Sequence, residues 1–150
     1  MIKKQCERSD AFAWDVVDRA PYAVLALSDT DGTPYCVPIS PVRRGKAVYF
    51  HCAAVGKKLE LLKKNPRAAL TAVSDWVVDS PEYTMRYSSA VARGTACIVE
   101  DEAEKRRALY WLSERYSRAD LDKFDAMMAK YAKAARIVRI DVDEITGKQN

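Results

Sequence analysis

Apolar and polar positions follow one another in short runs, and the repeat changes between period two and a helical period at only a few places. Over residues 9–19, Phe12, Val16 and the Val17/Ala20 side recur at helical spacing. Ser9 or Asp10 can cap the start and Pro21 stands just past the end, so a first helix is predicted there. Tyr22 to Ser28 carries apolar residues on both faces and reads as a strand. Asp29-Thr30-Asp31-Gly32 predicts a hairpin turn, with Asp31-Gly32 able to supply positive φ. The return strand, Thr33 to Val42, contains Pro34, Pro38 and Pro41. Proline cannot donate to a ladder, which places an edge, a bulge or a barrel corner in this stretch. Arg43-Arg44-Gly45-Lys46 turns the chain into a further strand, Ala47 to His51. A short helix then begins at Lys57 and stops at Asn65-Pro66.

Arg67 to Ser74 continues the strands. Residues 75–84 are less regular, with Ser80-Pro81 marking a loop, and Met85 to Val99 is a long strand with Gly94 as its expected bend. From Asp101 the pattern is helical. Leu109, Leu112 and Tyr116 share one face of a first helix, and Leu121, Phe124, Met127, Met128 and Tyr131 form the stripe of a second. Both stripes are expected to face the core. Ala135 to Asp143 alternates apolar and charged residues, a half-buried strand, and Glu144 to Asn150 reads as a short tail. About six strands joined mostly by tight turns argue against a doubly wound sheet. A mainly β fold, a closed or partly open antiparallel barrel with flanking helices, fits better.

At 150 residues, 49% hydrophobic and 31% charged, the chain reads as one domain over residues 1–150 with a sizeable core. No apolar run approaches the roughly 20 residues of a membrane-spanning helix. The start of the sequence lacks the apolar segment of a secretory leader, so a cytoplasmic location is expected. The net charge of +4 is too mild to imply nucleic-acid binding, and the basic clusters lack the interleaved exposed aromatics of a stacking platform. Cys6, Cys36, Cys52 and Cys97 show no Cys-x-x-Cys spacing, and there is one histidine. A Cys/His metal site is therefore not expected.

The most informative stretch is His51-Cys52-Ala53-Ala54-Val55-Gly56-Lys57-Lys58, a strand end followed by a glycine-ended loop and a helix start. Two lysines in a first helical turn oppose the helix dipole, which favours Asp or Glu there. Free N–H groups, the dipole and two ammonium groups would together hold an anion such as phosphate. Taken alone, His51 reads as a hydrogen-bonded imidazole and the lysines as a solvated face; their co-occurrence with Gly56 and the Asn-Pro stop favours the anion site.

Tyr49-Phe50-His51-x-Ala-x-x-Gly56-Lys57-Lys58 with Asn65-Pro66, Asp31 to Ile39, and Ile145-Thr146-Gly147-Lys148 together resemble the FMN-binding split-barrel superfamily, the pyridoxamine 5'-phosphate oxidase-related proteins. The likeness is strongest to the group that includes the 5-nitroimidazole resistance proteins. It implies a homodimer with FMN at the subunit interface and an oxidoreductase acting on a small molecule, a nitro compound being one candidate. Cys36, Val37, Pro38 and Ile39 would flank the flavin ring, and His51 and Cys52 would lie along the ring and ribityl chain. Gly56, Lys57 and Lys58 would hold the phosphate. Ser74, with its neighbours from Thr71, would approach the ring from the adjacent strand, and Thr146, Gly147 and Lys148 would reach it from the partner subunit. His51 is the candidate proton donor. Gly56-Lys57-Lys58 departs from the Ser-Arg-Lys triplet of pyridoxamine phosphate oxidases, and the C-terminal Trp/Arg substrate site is missing, which argues against pyridoxal phosphate synthesis. Haem or a deazaflavin in the same fold, a non-enzymatic flavin carrier and a nucleic-acid-binding barrel are the alternatives.

Overall fold

The computed structural model describes residues 4–150. Eight strands and four helices follow in the order β1 (Glu7–Arg8), α1 (Asp10–Arg19), β2 (Ala23–Ser28), β3 (Pro34–Ile39), β4 (Val42–Arg44), β5 (Ala47–Ala53), α2 (Lys57–Lys64), β6 (Arg67–Asp79), β7 (Thr84–Ile98), α3 (Glu102–Tyr116), α4 (Phe124–Tyr131) and β8 (Ala135–Gln149). Ser9 caps α1, accepting from the Phe12 amide, and Asp101 caps α3, accepting from the Glu104 amide at 2.6 Å. One antiparallel sheet runs β3-β2-β6-β7-β8-β5-β4, with β1 beside β8. Its two end strands, β3 and β4, are joined by Ser40 and Pro41 alone. So short a link brings the two edges together, and the sheet must roll into a barrel.

The roll does not close with hydrogen bonds. Val42 pairs with Tyr49 and Arg44 with Ala47, but at Pro41 the chain leaves β5 and β3 pairs with β2 instead. Extending the β4–β5 register backwards would set Ser40 opposite His51 and Pro38 opposite Ala53. The outer edge of His51–Ala53 thus stays unpaired and faces the free edge of β3 across a split. The three prolines mark this corner, as their lost donors predict.

The core forms between the sheet's inner face and α1, with Leu25, Phe50, Leu70, Val138 and Ile140 at its centre. Gly147 lets α1 approach: a Cβ there would lie 3.1 Å from Ala13 Cβ. Gly94 marks a bulge, where the register with β8 skips one residue and a Cβ would sit 2.1 Å from the Asp141 carbonyl oxygen. A smaller apolar cluster of Val42, Tyr49, Val99, Ala108, Leu112 and Ile137 fixes α3 to the other face of β4, β5 and β8. There Tyr49 Oη donates to Glu104 Oε1 at 3.1 Å, and Arg139 donates to the same oxygen at 2.8 Å.

Four expectations need correcting. The described residues form eight strands rather than about six. Residues 75–79 are not irregular but prolong β6, after a bulge at Asp75, whose φ is 53°. The extra residue there breaks the alternation that a period-two reading relies on. The segment Glu144–Asn150 is no tail: through Gln149 it belongs to β8, pairing with β7 and, at Gly147 and Lys148, with β1. The stripe of α4 does not face the core as a whole: Phe124 is buried and packs edge-on against Tyr110, while Met127 and Tyr131 are exposed.

Candidate functional site

Most of the residues singled out from the sequence flank the split. On β3, alternation turns Tyr35 and Val37 toward the core and leaves Cys36 and Pro38 exposed. On β5, Cys52 packs on that same core, whereas His51 points the opposite way, toward α3. His51 and Cys52 therefore present their side chains on opposite faces of β5. Adjacent strand residues necessarily diverge. His51 reaches a cavity of about 280 Å³ whose other walls include Ser40, Leu112, Ser113 and Tyr116.

The start of α2 lies just beyond β5. Gly56 is its N-cap with φ 142°, a conformation that strongly favours glycine, and no side chain caps the helix. A Cβ at Gly56 would meet nothing within 4 Å. Glycine is therefore needed for the backbone angle rather than for close approach. The helix is tied to the β2–β3 turn, since Lys64 Nζ lies 3.1 Å and Lys57 Nζ 3.8 Å from Asp29 Oδ2, and Asn65 donates to Ser28 Oγ. Asp29 is held below the usual carboxylate range by the Thr30 amide and by Lys64.

Lys57 thus has a carboxylate neighbour. Lys58 has none among the described residues, and neither has Arg136, which donates only to the backbone carbonyls of Lys133 and Ala135. Arg136 pairs across the ladder with Cys52. Burial pushes the Cys52 thiol up, while Lys58 and Arg136 act in the opposite direction. Two uncompensated cations and an uncapped helix start therefore converge beside Cys52, a set suited to an anion. Arg136 was missed in the sequence. Its place depends on the β5–β8 register, which no local motif announces.

The remaining candidates lie elsewhere. Ser74 is buried and donates to Asp75 Oδ2 at 3.0 Å, and together with Thr71 and Val73 it lines a cavity of about 450 Å³ that also takes in Tyr22, Val24 and Trp76. Gly147 is covered by α1, while Lys148 Nζ lies 2.5 Å from Tyr87 Oη. Thr146 occupies the outer-face row Pro38–Val24–Thr71–Val91–Thr146, four strand spacings and about 19 Å from β3 along the sheet. It stands ten residues from Arg136 on β8, roughly 33 Å in an extended strand. Within one chain, the Thr146–Lys148 segment and the α2 start do not meet. Among the described residues no group of His, Cys, Asp and Glu side chains could hold a metal ion. None of the described helices is long and apolar enough to cross a membrane.

A family model described as Pyridoxamine 5'-phosphate oxidase matches residues 9–149. No curated protein sequence matches the chain. Among solved structures, a candidate 5-nitroimidazole antibiotic resistance protein from Bacteroides thetaiotaomicron superposes with a TM-score of 0.79 at 25% identity, covering 95% of this chain and 84% of that one. An FAD and haem binding protein from Mycobacterium smegmatis gives 0.73 at 25% identity, covering 95% and 71%. The flavocytochrome Anf3 from Azotobacter vinelandii gives 0.75 at 20% identity, covering 97% and 70%.

Proposed function

The chain belongs to the pyridoxamine 5'-phosphate oxidase family, and from that premise we propose that it is an FMN-dependent oxidoreductase, passing electrons from a reduced donor to a small acceptor such as a nitro compound. The observation that carries the reading is the pair of cations without carboxylate partners, Lys58 and Arg136, at the uncapped start of α2 beside the split. They would hold the phosphate with the helix N–H groups. The free edge of β3 at Cys36–Ile39 offers peptide donors and acceptors to the polar rim of a flat ring. Bound FMN would supply the electron chemistry. His51, facing its own cavity, would orient the acceptor and deliver a proton, since an imidazole can donate and accept near neutrality. Gly147 is better explained by packing.

A homodimer accords with the surface and with the site. Trp76, Val78 and Tyr83, at the β6–β7 hairpin, are 65%, 60% and 98% exposed, beside exposed Val73, Val77 and Met85. This much exposed apolar side chain supports an interface with a second chain. A second subunit is also the only route by which Thr146 and Lys148 would reach the cofactor of another chain.

The purified protein should be yellow, bind about one FMN per chain in a fluorescence-quenching titration and scatter light as two chains. A colourless protein that fails to take up FMN would overturn the cofactor assignment. Haem is the second reading, favoured by the similar structure named for FAD and haem together. A Soret band in place of flavin bands would establish it.

A further inference from the structure

We propose that the cavity between His51 and the last turns of α3 binds a small, uncharged, single-ring compound bearing hydrogen-bonding substituents, and that it rejects phosphorylated compounds. As a statement about the electron acceptor this rests on the reading above; as a statement about binding it stands on the cavity alone.

At about 280 Å³ the cavity falls at the lower limit of small-molecule sites, enough for one substituted ring. Its polar groups are His51 and the hydroxyls of Ser40, Ser113 and Ser117, set against the apolar wall of Leu112. The Tyr116 hydroxyl is already committed, donating to the Pro41 carbonyl at 2.7 Å, so this residue presents its ring rather than a donor. Hydroxyls both donate and accept, and the imidazole adds a further hydrogen-bonding edge. They suit nitro, amide, carbonyl or hydroxyl substituents without regard to their sense.

The cavity's charge pattern decides against a phosphate. No lysine, arginine, aspartate or glutamate lines it. The neighbouring charged side chains are engaged elsewhere. Glu114 pairs with Arg44 at 2.9 Å. Arg115 lies over the Tyr116 ring, 5.1 Å from its centroid, but spends its donors on the Ala20 carbonyl at 2.7 Å and the Val17 carbonyl at 3.2 Å. Arg43 is held by Asp18. A dianion here would meet no lysine or arginine in the lining to balance it. The cations at the α2 start cannot serve, because His51 and Cys52 point to opposite sides of β5 and those cations gather on the Cys52 side.

The test exploits the single histidine of the chain: its imidazole proton signals in an NMR spectrum are His51 and nothing else. The protein is titrated with 4-nitrobenzyl alcohol and, separately, with 4-nitrobenzyl phosphate, with and without FMN. The alcohol should shift the His51 signals saturably, and the phosphate should bind at least tenfold more weakly. Ser113→Trp, which fills the cavity, should abolish the alcohol-induced shift while melting temperature and FMN uptake stay unchanged. Ser113→Arg, which supplies a cation, should reverse the preference toward the phosphate. Equal or tighter wild-type binding of the phosphate, or alcohol binding that leaves the His51 signals unmoved, would overturn the proposal. Should Ser113→Trp not fold, the wild-type comparison decides alone. Alcohol binding without any FMN uptake would sink the flavin reading and leave the cavity assignment standing; FMN uptake with no response of His51 to the alcohol would do the reverse.

Discussion

The two adjacent lysines at the start of α2 should contribute very unequally to anion binding. Lys57 lies 3.8 Å from Asp29 Oδ2 and is 53% exposed in its side chain. Part of its field is already neutralised, and removing it costs little beyond a surface ion pair, about 0–1 kcal/mol. Lys58 is half-buried and, like Arg136, has no carboxylate partner among the described residues. A charge-assisted hydrogen bond to phosphate is worth roughly 1.5–3 kcal/mol. Lys58→Ala and Arg136→Ala should therefore each weaken FMN binding roughly 10- to 150-fold, and Lys57→Ala less than about 5-fold. The assay is quenching of flavin fluorescence, with riboflavin as the control that lacks the phosphate. Riboflavin should bind wild type and all three variants alike, and thermal midpoints should change little. Equal losses for Lys57→Ala and Lys58→Ala, or a parallel loss of riboflavin affinity, would refute the assignment of the phosphate to the Lys58–Arg136 side.

His51→Ala should retain flavin and slow reduction of a nitro acceptor by about 10²–10⁴-fold, the usual cost of a positioned acid or base; stopped-flow reoxidation at saturating FMN measures it, and equal rates would remove His51 from the chemistry. Gly94→Ala should destabilise the fold by about 3 kcal/mol, because its Cβ would stand 2.1 Å from the Asp141 carbonyl oxygen. The melting temperature should fall by roughly 6–12 °C, and a smaller fall would mean that the bulge relaxes. Asp75 is held below the usual carboxylate range by Arg19 and by the Ser74 hydroxyl. A carboxylate depressed in the folded state takes up more protons on unfolding, so its stabilisation is present above the ordinary value of 3.8 and fades as the pH falls through and below it. Asp75→Asn should flatten that acid limb of a melting-temperature profile, and an unchanged limb would show that other carboxylates carry it.

The elements with strong local signals were legible in the sequence. Ser9 caps α1, Asn65-Pro66 ends α2, and the prolines of the third strand mark the corner where the sheet splits. Gly94 was legible as a bend because a glycine inside a strand has few other uses. The candidate site was legible only where it is contiguous, from His51 to Lys58. Arg136 enters through a ladder that pairs it with Cys52, 84 positions away. The exposure of Trp76 follows from a one-residue bulge at Asp75, a non-glycine at positive φ that leaves no pattern in composition. The stripe of α4 misled because a helix that meets its neighbours mainly at Phe124 has the same period as one packed along its whole length.

β8 has a consequence for the order of assembly. It lies between β7 and β5, so the β3-β2-β6-β7 group and the β4-β5 pair have no shared ladder until it is in place. Translation delivers this central strand after every other element of the fold. A nascent chain ending before Ala135 would expose two long open edges, on β5 and β7, each a template for wrong pairing. Closure over so great a sequence separation is slow. The half-built sheet is thus the species most in need of protection from aggregation, and a truncation that removes β8 should yield insoluble protein rather than a smaller stable domain.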